Sequence, residues 1–212
     1  MQKTSTLQIN RMVKSFAISF MVLLSILIIA KTNAYAAKAI QTQQDSTNDP
    51  SLSSGNSVTV SEVIKAQNAW AKGIVAIGKA YTEHKDYNQV AINLINQLYA
   101  YNYENGIVLF KPTKAQEVPF RKTKEAALSY FVGDNVAYSE DKGFAIQPWT
   151  NVVFHNDEMY FHGDMAIAMG SYDFTDSNDK VARVEYTFAY VKDDKGQLKI
   201  VLHHSSMPYN NS

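Results

Sequence analysis

The chain has no cysteine. That absence excludes disulfides, zinc–thiolate centres, a cysteine nucleophile and a lipid anchor carried on a cysteine. Catalytic signatures are missing as well. There is no G-x-S-x-G elbow, no G-x-G-x-x-G turn and no phosphate-binding P-loop. There is no basic tract, and Lys plus Arg balance Asp plus Glu at 20 each. The four basic residues among the first 36 (Lys3, Arg11, Lys14 and Lys31) face no acidic ones, so the remainder carries a net charge of −4. A mildly acidic chain of this kind argues against nucleic acid as a partner.

One apolar run stands out. Phe16 to Ala30 is broken only by Ser19 and Ser25, follows a basic start and precedes Ala34-Tyr35-Ala36. That is the pattern of a signal peptide cut after Ala36, and the run is short for a membrane span. Residues 1–36 are therefore expected to be removed, leaving an exported protein, periplasmic or secreted, with no membrane attachment after cleavage. Residues 37–57 are polar and poor in apolar side chains, the composition of a flexible leader. Residues 58–212 are the length of one domain.

Within that domain the helices come first. Thr59-x-x-Glu62 is a capping-box pattern. Val63, Ala66, Trp70, Ile74, Ile77 and Tyr81 then recur every three or four residues, predicting a helix over about 61–83. Gly73 and Gly78 interrupt it, and close packing on a neighbour is the expected reason. A second helix is predicted over about 89–101 and a third over about 123–131, with a short apolar strand over 107–110 between them, broken by Lys111-Pro112-Thr113-Lys114. Strands follow: short ones at 144–146 and 152–154, one starting near 158–161, and a long one over 165–174. Last comes a hairpin, Val181–Val191 and Gln197–Pro208, around a polar turn containing Gly196. Helices first and antiparallel strands last is an α+β order.

Side chains alternate along a strand. Arg183, Glu185, Thr187 and Ala189 therefore lie on one face of the hairpin and Val184, Tyr186, Phe188 and Tyr190 on the other. Sequence leaves open which face is inside. Adjacent His203 and His204 point opposite ways and are poorly placed to share a metal. His155, His162 and Asp164 do not have the spacing of a zinc site, and neither a metal nor another cofactor is expected.

His162-Gly163-Asp164, the strand to Thr175, the strand carrying Glu185 and Thr187, and the ending His203-x-Ser205-x-x-Pro208 resemble the association domain of calcium/calmodulin-dependent protein kinase II. That domain belongs to the NTF2-like (SnoaL-like) superfamily, and secreted bacterial proteins of this type exist. The resemblance implies a cone: a curved antiparallel sheet wrapped around the long N-terminal helix, with a pocket at its open end. It also implies pairing of copies through the outer face of the sheet. It implies arginines beside a glutamate in the pocket, but Asp173 and Phe188 occupy those positions here, and Arg183 is offset from Glu185. The expected ligand-pocket residues are Tyr130, Trp149, Glu185, His203 and Ser205. The leading expectation is a non-catalytic exported domain that self-associates as a homodimer or larger even-numbered oligomer and holds a small ligand in its cone. The alternatives are a SnoaL-like enzyme using Glu185 and His203 as acid and base on a small organic substrate, or a scaffold module for another exported protein.

Overall fold

The computed structural model describes residues 57–209. The expected signal peptide and all of the leader except Ser57 lie outside them. The fold is α+β. Helix α1 (Val60–Thr82) is followed by α2 (Tyr87–Leu98), strand β1 (Leu109–Lys111), helix α3 (Lys124–Val132) and the strands β2 (Trp149–His162), β3 (Met165–Asp176), β4 (Val181–Lys192) and β5 (Leu198–Ser206). They form one curved sheet in the order β1-β5-β4-β3-β2. β2 to β5 are antiparallel neighbours, and β1 joins β5 in parallel.

α1 starts where the capping box places it. Thr59 Oγ1 accepts the Glu62 N–H, and the Glu62 carboxylate accepts the Thr59 N–H at 2.8 Å. Its apolar stripe packs into the concave sheet, burying Val63, Trp70, Ile74 and Ile77. Burial of side chains this size contributes roughly 1.5–3 kcal/mol each. Tyr81, at the end of the stripe, is exposed. The two glycines allow close contacts. A Cβ at Gly78 would lie 2.7 Å from the Gln147 carbonyl oxygen, and one at Gly73 would strike the Leu94 side chain of α2.

The strands are longer and fewer than the sequence suggests. The segments at 152–154 and 158–161 are one strand, β2, carried through a bulge at Asn156–Glu158. An unpaired extra residue breaks the alternation there, and this is why the sequence shows two short runs. Phe144–Ile146 is a 3₁₀ turn rather than a strand. α2 ends at Leu98, three residues early, and a 3₁₀ turn at Ala100–Asn102 follows it.

Val184, Tyr186, Phe188 and Tyr190 are buried, so the aromatic row of β4 faces α1. Arg183 and Glu185 are exposed on the outside. The outer face that the resemblance assigns to pairing therefore does not carry these aromatic rings.

A cluster of buried hydroxyls around a histidine

β5 carries a bulge opposite Ala189–Tyr190, and the site depends on it. Leu198 and Ile200 face the core before the bulge; His203 and Ser205 face it afterwards. Strict alternation would have turned both outward. His203 pairs in register with Phe188 and Ser205 with Tyr186. Parallel pairing then sets Phe110 of β1 beside His203 and Lys111 beside His204. The chain leaves β1 at Pro112, and the next residue, Thr113, donates a hydrogen bond from Oγ1 to Ser205 Oγ at 2.9 Å.

Two tyrosines complete the group. Tyr172, on β3, has Ser205 and Thr113 as hydrogen-bonding neighbours, and its hydroxyl lies 3.4 Å from His203 Nε2. Tyr130, on α3, has the Lys114 backbone and the Thr113 side chain as partners. Thr113 is half-buried, whereas Tyr130, Tyr172, His203 and Ser205 are buried, so the cluster opens toward solvent at Thr113. His203 lies in an aromatic box. Phe110 stacks on it at 4.5 Å with the planes 15° apart, Phe188 meets it at 4.1 Å, and Trp70 stands edge-on at 5.6 Å. Its Nδ1 is 2.8 Å from the Tyr99 hydroxyl, which also accepts the Trp70 indole N–H at 2.9 Å.

Electrostatically the site is neutral. Burial, assisted by His204, pushes the His203 pKa well below its ordinary value. Burial also raises the phenols of Tyr99, Tyr130 and Tyr172 far above theirs. Desolvation opposes the charged form in every case, so near neutral pH the site presents uncharged hydroxyls and an uncharged imidazole.

The loop carrying Thr113 is tied down from beneath. Arg121, fully buried, pairs with Asp141 at 2.5 Å, donates to the Val118 carbonyl and lies over the Tyr138 ring. Asp141 also accepts from Ser129 of α3 at 2.7 Å. Glu140 accepts the backbone N–H groups of Gln116, Glu117 and Val118. Desolvation alone would raise its pKa, but these three bonds and Arg121 outweigh it and hold the carboxyl at about 2. Arg121 is thus an internal tie of this loop.

Of the five residues expected in the pocket, the structure brings Tyr130, His203 and Ser205 together. Trp149 is separate. Its indole N–H donates to the Phe144 carbonyl at 2.8 Å, and the Phe144 ring lies between it and Tyr130. Glu185 is exposed on the outer face of β4, opposite Ser206, while His203 is on the inner face. The acid–base pair expected of Glu185 and His203 therefore does not form: each follows the alternation of its own strand, and the two point to opposite sides. His155 pairs with Asp173 at 3.0 Å on the outer face. Among the described residues, no three His, Asp or Glu side chains gather as metal ligands would. Sequence reading missed Thr113, Tyr172 and Tyr99. Alternation along β3, with Ala166, Ala168, Tyr172 and Phe174 all inward, was the one signal able to flag Tyr172.

The fold and this site define an NTF2-like cone that holds a cluster of hydroxyls between its sheet and helix α3. A family model described as metal-independent carbonic anhydrase matches residues 61–207, and the chain belongs to that family. A metal-independent carbonic anhydrase from Nostoc sp. strain PCC 7120 is 43% identical over 155 residues, 72% of this chain and 75% of that protein. The crystal structure of an iota-carbonic anhydrase from a cyanobacterium, complexed with bicarbonate, is similar at 40% identity and a TM-score of 0.71, covering 74% of this chain and 96% of that one. A putative calcium/calmodulin-dependent protein kinase II association domain from Xanthomonas campestris is similar at 22% identity and a TM-score of 0.46, covering 69% and 86%. Membership of a family of enzymes overturns the expectation of a non-catalytic ligand-holding domain. The physical reason for the miss is plain: neutral hydroxyls brought together from four distant segments form no motif along the chain.

Proposed function

We propose that this protein catalyses the reversible hydration of CO2 to bicarbonate at the cluster of Thr113, Tyr130, Tyr172 and Ser205. The carrying observation is the convergence of these hydroxyls, with the 2.9 Å Thr113–Ser205 contact at its centre. Several uncharged donors close to one another suit a planar, three-oxygen anion, and a similar structure is an iota-carbonic anhydrase complexed with bicarbonate.

The neutrality of the site selects the mechanism. With the His203 pKa depressed and the phenols raised by burial, no group is poised to take a full proton from water at neutral pH. Hydroxyls instead accept one proton while giving up another. As the water oxygen bonds to the CO2 carbon, its proton passes to one hydroxyl of the cluster, and that hydroxyl or its hydrogen-bonded neighbour gives a proton to a CO2 oxygen. One C–O bond forms, one carbon–oxygen π bond breaks, and the product is carbonic acid. It ionises to bicarbonate and a proton on release. The remaining hydroxyls donate to the oxygens on which negative charge develops, a preorganised arrangement whose single donors are worth about 10²–10³ in rate. The aromatic box holds His203 against Tyr172.

Exchange of 18O between labelled bicarbonate and water, followed by mass spectrometry, tests the assignment. Catalysed exchange that falls to background in a Thr113→Val, Ser205→Ala double variant of unchanged fold is expected; unchanged exchange in that variant would remove the site from the reaction.

The basic start, the apolar run and Ala34-Tyr35-Ala36 support action outside the cytoplasm after cleavage following Ala36, which N-terminal sequencing of the purified protein checks. Exposed Tyr160 and Met169 on the outer sheet face support self-association as a dimer, which sedimentation at micromolar concentration checks.

A further inference from the structure

Trp70 and Tyr99 are both buried behind the cluster; Trp70 bonds to Tyr99, and Tyr99 bonds to His203. Three facts give this chain of bonds a direction. An indole N–H only donates, so the Tyr99 oxygen must accept from Trp70 at 2.9 Å. The Tyr99 side chain is buried, and among the described residues the only other polar group in reach of its oxygen is His203 Nδ1 at 2.8 Å. The Tyr99 hydroxyl proton therefore has one acceptor, Nδ1. If Nδ1 carried a proton instead, Tyr99 would accept twice and its own hydrogen would be stranded in the core without an acceptor, which burial penalises.

We infer that Trp70 and Tyr99 are positioning residues that lock His203 in the tautomer with its proton on Nε2. The relay Trp70 N–H to Tyr99 oxygen, Tyr99 O–H to Nδ1, Nε2–H to Tyr172 oxygen then runs one way, from the core to the site. Tyr172 receives a hydrogen bond from behind and points its own proton forward, toward Ser205 and Thr113. In the opposite tautomer Nε2 would be an acceptor and would draw the Tyr172 proton back, removing one donor from the cluster. His203 in this arrangement is a fixed donor and not a base, and Trp70 closes the rear of the relay because an indole nitrogen has no lone pair to accept with. The catalytic consequence rests on the carbonic anhydrase reading; the tautomer itself does not.

The test is nitrogen NMR on full-length protein carrying 15N-histidine, with His203 assigned by its loss in His203→Gln. The wild-type spectrum is expected to show unprotonated Nδ1 and protonated Nε2 throughout pH 6.5–9. A proton on Nδ1, or two tautomers in exchange, would overturn the inference without any need for a core variant to fold. Tyr99→Phe removes the lock: we expect tautomer exchange to appear and kcat for CO2 hydration to fall about tenfold with KM within twofold. A single Nε2–H form with unchanged kcat in that variant would equally overturn it. A fixed Nε2–H ring in a wild-type protein without hydration activity would defeat the functional reading and leave the lock standing.

Discussion

Thr113 and Ser205 are 92 residues apart in the chain, and their side-chain oxygens meet at 2.9 Å because β1 runs parallel to β5. A three-residue strand ending at Lys111 and the turn at Thr113–Lys114 bring one hydroxyl over the sheet edge; a bulge in β5 turns the other inward to meet it.

Removing either hydroxyl should slow the reaction without unfolding the protein. Thr113→Val keeps the side-chain shape and deletes one donor. We expect kcat for CO2 hydration to drop about 10²-fold, with a thermal midpoint close to that of the wild type. Stopped-flow rates and calorimetry on the same preparation check both halves.

Stability should depend on pH through His203. Its folded pKa lies well below the ordinary value of 6.5 because burial disfavours the imidazolium. Below pH 6.5 the unfolded chain takes up a proton that the folded chain refuses, so unfolding becomes easier. The contribution is complete above pH 6.5 and is lost as pH falls, by up to about 1.4 kcal/mol per pH unit until the folded group also titrates. The buried phenols act in the opposite direction. Tyr99, Tyr130 and Tyr172 have raised folded pKa values, so their contribution is present below pH 10 and lost above it. Urea unfolding from pH 5 to 7, with His203→Gln as the control, should show the acid-side slope in the wild type and a shallower one in the variant.

Asp141→Asn should be among the most damaging single changes outside the cluster. It removes the negative charge 2.5 Å from the fully buried Arg121 guanidinium and leaves Glu140, 3.6 Å away, as the remaining carboxylate; weakening a buried pair in this way costs up to about 3–5 kcal/mol. Glu140→Gln should be milder for stability but should weaken the grip on the N–H groups of residues 116–118. Looser placement of Thr113 should then lower kcat more than it lowers the melting temperature. Paired melting and kinetic measurements separate the two variants.

Gly170→Ala should destabilise the sheet by about 2–3 kcal/mol. The added Cβ would strike the His155 carbonyl oxygen at the bulge in β2. Asn156, on the inner face of β2 where that bulge begins, bonds to Gln67 and Tyr186 at 2.7 and 2.5 Å, and Tyr186 in turn stacks on Tyr172 with the planes 3° apart. A melting curve of the variant reads the effect directly.

What could be read in the sequence follows from how local each signal is. The capping box at Thr59 and the stripe through Val63, Trp70 and Ile74 are local, and α1 begins one residue from its expected start. The inward and outward rows of β4 were also separable, although only the structure assigns the aromatic row to the core. The bulges were not legible. Each inserts one residue without a turn signature, and in β5 that single residue decides whether His203 and Ser205 face the pocket or solvent. Glu185 looked a natural partner for His203 because carboxylate and imidazole are the usual acid–base groups. The cluster is built from neutral hydroxyls instead, and Thr113 and Tyr172 are residue types that sequences scatter everywhere.

The most direct measurement is stopped-flow CO2 hydration by purified protein in buffer containing a strong metal chelator, run alongside Thr113→Val. The account predicts a hydration rate well above that of buffer, unchanged by the chelator and reduced about 10²-fold in the variant. A rate no faster than buffer, or a full rate in Thr113→Val, would contradict it.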